Sequence, residues 1–556
     1  MFIDTRQVND GRALVVTACI IGGGVAGLTI AREFEGHGID TCVLESGGFE
    51  PDDATRDLCR GEATGMPYEF SDGCRARFLG GSSNCWGGWS RPLDPWDFEC
   101  RDWVPHSGWP FGLEHLLPYY ERAHAVLQLG PSNFDPAFWE QAIARDDVRR
   151  IPLASGRVRD TVSQFSPPVR FGRHYRKALQ RASHVRIFLH ANVTALLPDR
   201  SCTRISQVRV QTLDGKSMTV AARLFVLATG GIENARLLLA SNQQAGCGIG
   251  NWHDLVGRYF MDHPRMQAGS VRFSAGWSRN KLYDIKYNYL SHAVKAHGQH
   301  IAAQLALTPE AMASERVLNA RLCFSSEFPG EGSAAAKSLF RCKQALLHKE
   351  QPGWYWRDEV RTMLGDPVNT FLYGFTRLCH PRFLIRGVSF QVIVEPAPNP
   401  DSRVTLSATK RDALGLPRVE VDWRIDPLSR HTADRTLALV AQELQMAGVA
   451  EVDTGPSMFA EGWPETWERE GTWHHMGTTR MHADERRGVV NADCRVHGMS
   501  NFYIAGSSVF PTAGANFPTI TITALALRLA DHLRDQLRCD ATLPLADLAA
   551  FTRAAA

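Results

Sequence analysis

Cysteine pairs at metal or redox spacing are missing from this 556-residue sequence: its 13 cysteines stand singly, with no CxxC and no CxxCH haem signature. That scatter argues against a zinc ribbon, a c-type haem and a disulfide scaffold, and fits a reducing cytoplasm. HExxH and GxSxG are missing too, so neither a zinc protease helix nor a serine nucleophile elbow is spelled out. No apolar run reaches the ~18 residues that a membrane span needs, and the apolar run near the start lacks the basic lead and small-residue cleavage site of a secretion signal. Neither sign of charge dominates, because 61 basic residues face 59 acidic ones. The net of +2 supplies no broad field to hold a phosphate backbone or an anionic bilayer, which excludes nucleic acid as a partner.

What is present suits a globular protein with a large core: 44% of residues are hydrophobic and 22% charged. At one domain per ~150 residues the length predicts more than one unit. Residues 13–21 form a β-branched apolar run that leads into Gly22-Gly23-Gly24-Val25-Ala26-Gly27, and a helical pattern, LTIAREFEGHG, follows. A second short strand over 41–44 ends in Glu45, 23 residues after Gly22. Strand, glycine turn, helix and acid in this order make a dinucleotide site. Gly22 permits the tight turn, Gly24 lets backbone approach a pyrophosphate, Gly27 lets helix pack on strand, and Glu45 is placed for a ribose hydroxyl. This pattern alone leaves NAD and FAD equally open.

Residues 77–89 (RFLGGSSNCWGGW) predict a tight loop passing under a flat ring, and LEHLLPYYERAHAVLQL after Phe111 an amphipathic covering helix. The apolar strand LFVLATG with Ala228-Thr229-Gly230-Gly231 and a following helix predicts a second turn beside the dinucleotide. From about residue 267 the pattern turns to alternating strands around a helix-rich insert over 309–375, in which GWYW at 353–356 is a candidate sugar-stacking platform or simply packed core. Near the end, strand, glycine turn and helix return. The expected fold class is therefore α/β: a discontinuous Rossmann-like unit over 1–110, 185–266 and 472–540, an antiparallel-sheet unit with extra helices over 111–184 and 267–471, and a tail over 541–556.

At the junction of the two units lies GTWHHMGTTRM, residues 471–481, with His474 and His475. A cleft between units is the default ligand site, and a histidine is the side chain that accepts a hydroxyl proton near pH 7 without extreme tuning. His474, His475, His482 and His497 complete no four-ligand set, so no metal is expected.

Taken together these residues resemble the glucose-methanol-choline (GMC) flavin oxidoreductases. The likeness rests on the first glycine turn with Glu45, Leu79-Gly80-Gly81-Ser82-Ser83, the ATGG turn at Ala228, Val256-Gly257-Arg258 through Asp262-His263-Pro264, His474-His475-Met476-Gly477-Thr478, and Ser508-Val509-Phe510-Pro511-Thr512. It implies FAD as cofactor, with contacts from the first turn, from Gly80, Gly81, Ser82, Asn84 and Cys85, from Val193 and Ala228, and from Gly506, Ser507, Phe517, Pro518 and Thr519. It implies His474 as the base above the flavin and Asn516 as its partner, with His475 structural. Three departures stand out. Asn516 is separated from Pro518 by Phe517, the acid expected before the SVFPT run is replaced by Ala505-Gly506-Ser507, and Cys85 occupies the position where some members attach FAD through histidine, which implies non-covalent binding. LGGSSNCWGG, EPAPNPDSRVTLS and HHMGTTRM resemble the bacterial branch acting on sugars, polyols and aminoglycosides, and in that pattern Glu395 faces the cleft. The implied reaction oxidises a primary or secondary alcohol on such a polyol, with oxygen or another electron acceptor re-oxidising the flavin. A non-redox lyase of the same fold and a flavin-binding protein without turnover are the alternatives.

Overall fold

A computed structural model describes residues 1–70, 74–143, 148–277, 281–287, 294–346, 356–455 and 472–539. Gly353, Trp354 and Tyr355 of the GWYW segment and the tail from residue 541 lie outside the described residues. The strand Arg12–Ile21 runs through the centre of an eight-stranded sheet. Thr41–Leu44 pairs with it in parallel on one side, followed by Val185–Leu189 and Phe2–Asp4, also parallel. On the other side lies Ser217–Leu227, which changes partners along its length. Its first half pairs antiparallel with Ile205–Gln211, whereas Phe225–Leu227 pairs in parallel with Phe502–Ile504, so the end of the chain completes the sheet begun at its start. Parallel strands buried on both faces explain why CII, CVL and LFVL read as continuous apolar runs.

The helix Val25–Gly36 covers one face of this sheet, and the last helix, Thr519–Cys539, packs on it. The amphipathic helix Leu117–Leu127 packs against Thr519–Cys539 in turn, with Leu116, Tyr120, Ala123 and Leu127 in the same apolar core as Ile20 and Val226. Although its sequence position suggests the second unit, its apolar face belongs to the first.

The second unit is a seven-stranded sheet with antiparallel pairing throughout, in the order Arg265–Ala268, Gly387–Val394, Ala320–Glu327, Gln299–Leu307, Val158–Phe165, Trp89–Ser90, with Val294–Ala296 beside Gln299–Leu307. The long helix Pro427–Met446 packs on one face, where Ala433, Leu437, Val440 and Leu444 meet Leu305, Leu322 and Val392. The stretch read as a helix-rich insert thus contains a central strand, Ala320–Glu327, ahead of three helices, Ala334–Leu346, Trp356–Gly365 and Pro367–Cys379.

Candidate active site

Ile21, Leu44, Leu227 and Ile504 end four parallel strands on one edge of the first sheet, and a cavity of about 420 Å³ opens there, lined by Ile21, Leu44, Ala228 and Ala505. This is where an open α/β sheet binds ligands. Both oxygens of Glu45 are engaged by backbone, Oε2 accepting from Gly23 N at 2.9 Å and Oε1 from Gly47 N at 2.9 Å, which braces the first glycine turn against the second strand. Gly22 has φ +108°, and a Cβ there would stand 2.5 Å from the Ala228 carbonyl; a Cβ on Gly24 would meet nothing nearer than Gly81 Cα at 4.0 Å. Only the backbone of the turn therefore presents itself to the cavity, with the helix N-terminus behind it, the arrangement that a pyrophosphate requires. The residues fit FAD: this turn would hold its pyrophosphate, and the GGSS loop lines the same cavity.

Gly22, Gly24, Glu45, Gly81, Ser82, Cys85, Val193, Ala228, Gly506, Ser507, Phe517, Pro518 and Thr519 line the cavity. Gly27, Gly80 and Asn84 stand behind its wall. Gly80, at φ +100°, donates its N–H to the Gly23 carbonyl (2.8 Å) and so ties the two glycine loops together, while Asn84 Nδ2 donates to the Leu79 carbonyl (3.0 Å). Along one side of the cavity Glu233 is ringed by Arg75, Arg77 and Arg236. Burial by itself would raise the Glu233 carboxyl, but these guanidiniums hold it down to about 2. The composition of the sequence gave no warning of this cationic wall.

His474 also lines the cavity, and its hydrogen bonds decide which nitrogen carries the proton. The Gly514 carbonyl can only accept, so the 2.8 Å bond from His263 Nε2 puts a proton there; burial lowers the pKa of His263, and in the neutral ring Nδ1 is then an acceptor. His474 Nδ1 lies 2.9 Å away and must donate. Thr472 agrees, since its hydroxyl donates to Asp262 Oδ1 (2.8 Å) and accepts from His474 Nδ1 at 2.8 Å. His474 Nε2 is left with the lone pair. Burial first, then the neighbouring His263, Arg265 and His475, all of which disfavour a second positive charge here, push the His474 pKa well below its ordinary value, so the ring is neutral at pH 7. Asp262 accepts from the backbone of Trp473 (3.0 Å) and of His474 (2.8 Å), holding Trp473 at φ +58° and fixing the direction in which His474 leaves the chain. Phe517 packs edge-on against the His474 ring at 5.0 Å.

His475 differs from its neighbour. Its pKa is lowered to about 3 by burial, its Nε2 has no hydrogen-bond partner, and its carbonyl accepts from Ser507 Oγ at 2.7 Å. His482 and His497 are engaged elsewhere, His482 Nδ1 accepting from Asp484 N at 2.9 Å and His497 Nε2 donating to the His482 carbonyl at 2.9 Å. Among the described residues the ligand-type group that does assemble is Asp262, His263 and His474, whose atoms lie within 4.8 Å of one another; the hydrogen bonds just described account for that closeness.

Two expected catalytic residues sit elsewhere. Asn516 does not line the cavity: its Nδ2 donates to the Pro92 carbonyl (2.6 Å) and its Oδ1 accepts from Arg321 Nε (3.1 Å), so the inserted Phe517 reaches the His474 ring instead. Glu395 is fully buried and holds Arg101 through two bonds of 2.9 and 2.5 Å, with Asn319 N as a third donor at 2.9 Å. It belongs to a structural ion pair. His263, to which the sequence assigns no role of its own, is the side chain that meets His474 Nδ1; the Asp262-His263-Pro264 triplet is its signal in the sequence.

Comparison with known proteins gives two family matches and several relatives. Residues 398–526 match the family model described as GMC oxidoreductase, and residues 17–244 the model described as FAD dependent oxidoreductase. The chain is similar to the 6'''-hydroxyparomomycin C oxidase of Streptomyces lividus, at 26% identity over 94% of this chain and 92% of that protein. It is also similar to the paromamine 6'-oxidase of Streptomyces fradiae, at 26% identity over 96% and 93%. Among solved structures it is similar to a formate oxidase, with a TM-score of 0.54 and 17% identity over 96% of this chain and all of that one, a likeness of fold.

Proposed function

Because the chain belongs to the GMC oxidoreductase family and is an FAD-dependent alcohol oxidoreductase, we propose that it oxidises one hydroxyl of a sugar-like or aminoglycoside-like polyol to the carbonyl, with His474 Nε2 receiving the hydroxyl proton. The observation that carries this reading is the tautomer: a neutral histidine on the cavity wall with its Nδ1 proton tied to His263 and Thr472 and its Nε2 lone pair free. FAD, when bound, supplies the acceptor for the hydride of the alcohol carbon. His263 and Thr472 keep His474 from rotating or exchanging tautomers, and Asp262 holds its backbone. Binding of FAD is non-covalent in this reading, although Cys85 lines the cavity, and oxygen or another acceptor closes the cycle. The 13 cysteines, none of them in a disulfide, support a cytoplasmic setting.

The test is anaerobic mixing of flavin-loaded protein with sugars, polyols and aminoglycosides. Bleaching of the oxidised flavin band is expected with at least one of them, and His474→Ala should slow it by ~10²- to 10⁴-fold while retaining the flavin. His475→Ala is the control. A flavin-loaded protein that no alcohol bleaches would instead be a lyase or a binder.

A further inference from the structure

Thirteen large apolar side chains are exposed among the described residues, and eight of them fall between Phe340 and Phe383. The three helices Ala334–Leu346, Trp356–Gly365 and Pro367–Cys379 pack on one another as a separate layer beyond the second sheet. On the last of them Val368, Phe371 and Leu378, each exposed by about two thirds, recur at spacings of three and seven and so share one face. Trp356 and Leu364 stand exposed on the helix before it. Soluble monomers seldom leave such a stripe uncovered.

The charge of this layer is as uneven as its apolar exposure. Residues 334–386 hold nine lysines and arginines against four acids, +5 in a chain whose total is +2. Lys337, Lys343, Arg357, Arg361 and Arg386 are exposed, whereas Asp358 is the one exposed acid among the described residues of the stretch. Glu359 is held by Arg341 at 2.7 Å. The layer is also fixed in place: Glu331 accepts from Lys286 (3.0 Å) and Arg377 (3.1 Å), and His380 Nε2 donates to the Lys286 carbonyl at 2.9 Å.

We propose that this helical layer docks the enzyme on an anionic lipid surface, with the Val368–Phe371–Leu378 stripe entering the headgroup boundary and the surrounding lysines and arginines meeting lipid phosphates. Trp, Phe and Leu on one side of a helix with basic residues around them is the pattern of a helix that lies in a membrane interface. A second copy of the chain is the poorer occupant, because two such basic faces repel each other.

The experiment sediments flavin-loaded full-length protein with vesicles of phosphatidylcholine alone or mixed equally with phosphatidylglycerol. Binding to the mixed vesicles is expected, weakened by 0.5 M salt, and Phe371→Glu combined with Leu378→Glu should reduce the bound fraction at least about tenfold with the flavin spectrum and melting temperature unchanged. Arg357→Glu with Arg361→Glu should weaken binding to the mixed vesicles in the same direction. Absence of binding to phosphatidylglycerol vesicles, or wild-type binding by the Phe371/Leu378 variant, overturns the proposal. So does a dimer that Phe371→Glu dissociates in a protein that ignores both kinds of vesicle, which assigns the face to self-association.

Discussion

A methyl group on Gly27 would stand 2.0 Å from the Gly22 carbonyl, whereas one on Gly24 would project into the cavity and meet no atom nearer than Gly81 Cα at 4.0 Å. The two glycines share one turn, but their substitutions should fail differently. Gly27→Ala is expected to lower the melting temperature and the yield of folded protein, since helix and strand must separate to admit it. Gly24→Val should fold and melt much as the apoprotein does and carry little FAD, visible as a lost flavin band. A pH profile addresses His474: it acts as a base only when neutral, and its pKa is depressed by burial and neighbouring charge, so the anaerobic reduction rate should stay level from neutrality through the ordinary histidine range and fall only in more acid solution. A fall centred at the ordinary histidine value would mean that Nε2 is solvated and the buried-base reading is wrong. At this scale local pattern in the sequence is enough to put residues such as Gly24 and His474 on the wall of the cavity. It says little about residues whose role is set by a partner far along the chain. His263 and His474 meet across 211 positions, and Asn516 is claimed by Pro92 and Arg321, which no local pattern announces.

Local pattern also misleads where an element is buried on both faces. Ala320–Glu327 reads as ARLCFSSE, with no polar alternation, yet it is a central strand whose residues are buried up to Ser326 between two neighbours and under the helix Pro427–Met446. Its end of the sheet is fastened by the Arg101–Glu395 pair, at the point where the strand Gly387–Val394 leaves the sheet. With side-chain exposures of 4% and 0%, removing one partner strands a charge away from water. Glu395→Ala should therefore destabilise the fold by about 3–5 kcal/mol in urea unfolding. The fraction that remains folded should reduce its flavin at the unaltered rate, because Glu395 does not line the cavity. Undiminished stability with a crippled rate would return this carboxylate to the chemistry.

On the scale of the whole molecule, summed quantities conceal what geometry separates. A net charge of +2 is read as neutrality, although one helical layer alone carries +5 and the rest of the chain is acidic. The order of motifs is more informative, because a dinucleotide turn near the start and an α/β return near the end can share a sheet only if everything between is inserted. The pairing of Phe225–Leu227 with Phe502–Ile504 closes that loop, and the walls of the cavity then draw on stretches far apart in the chain, among them those around Gly24, Ser82, Ala228 and Ser507. A ligand that touches all four binds only where they are assembled, and so pulls the equilibrium toward the folded state by RT ln(1 + [L]/Kd), about 2.7 kcal/mol at a free concentration of 100 Kd. Stripping FAD should accordingly lower the melting temperature, and adding it back should raise that temperature progressively with concentration. NAD at the same concentrations should do neither, and Gly24→Val should melt at the apoprotein temperature whatever the FAD concentration. If FAD left melting of the stripped wild type unmoved while still restoring the flavin band, it would be binding one segment and not the closed site, and the link between the two ends of the chain would owe nothing to the cofactor.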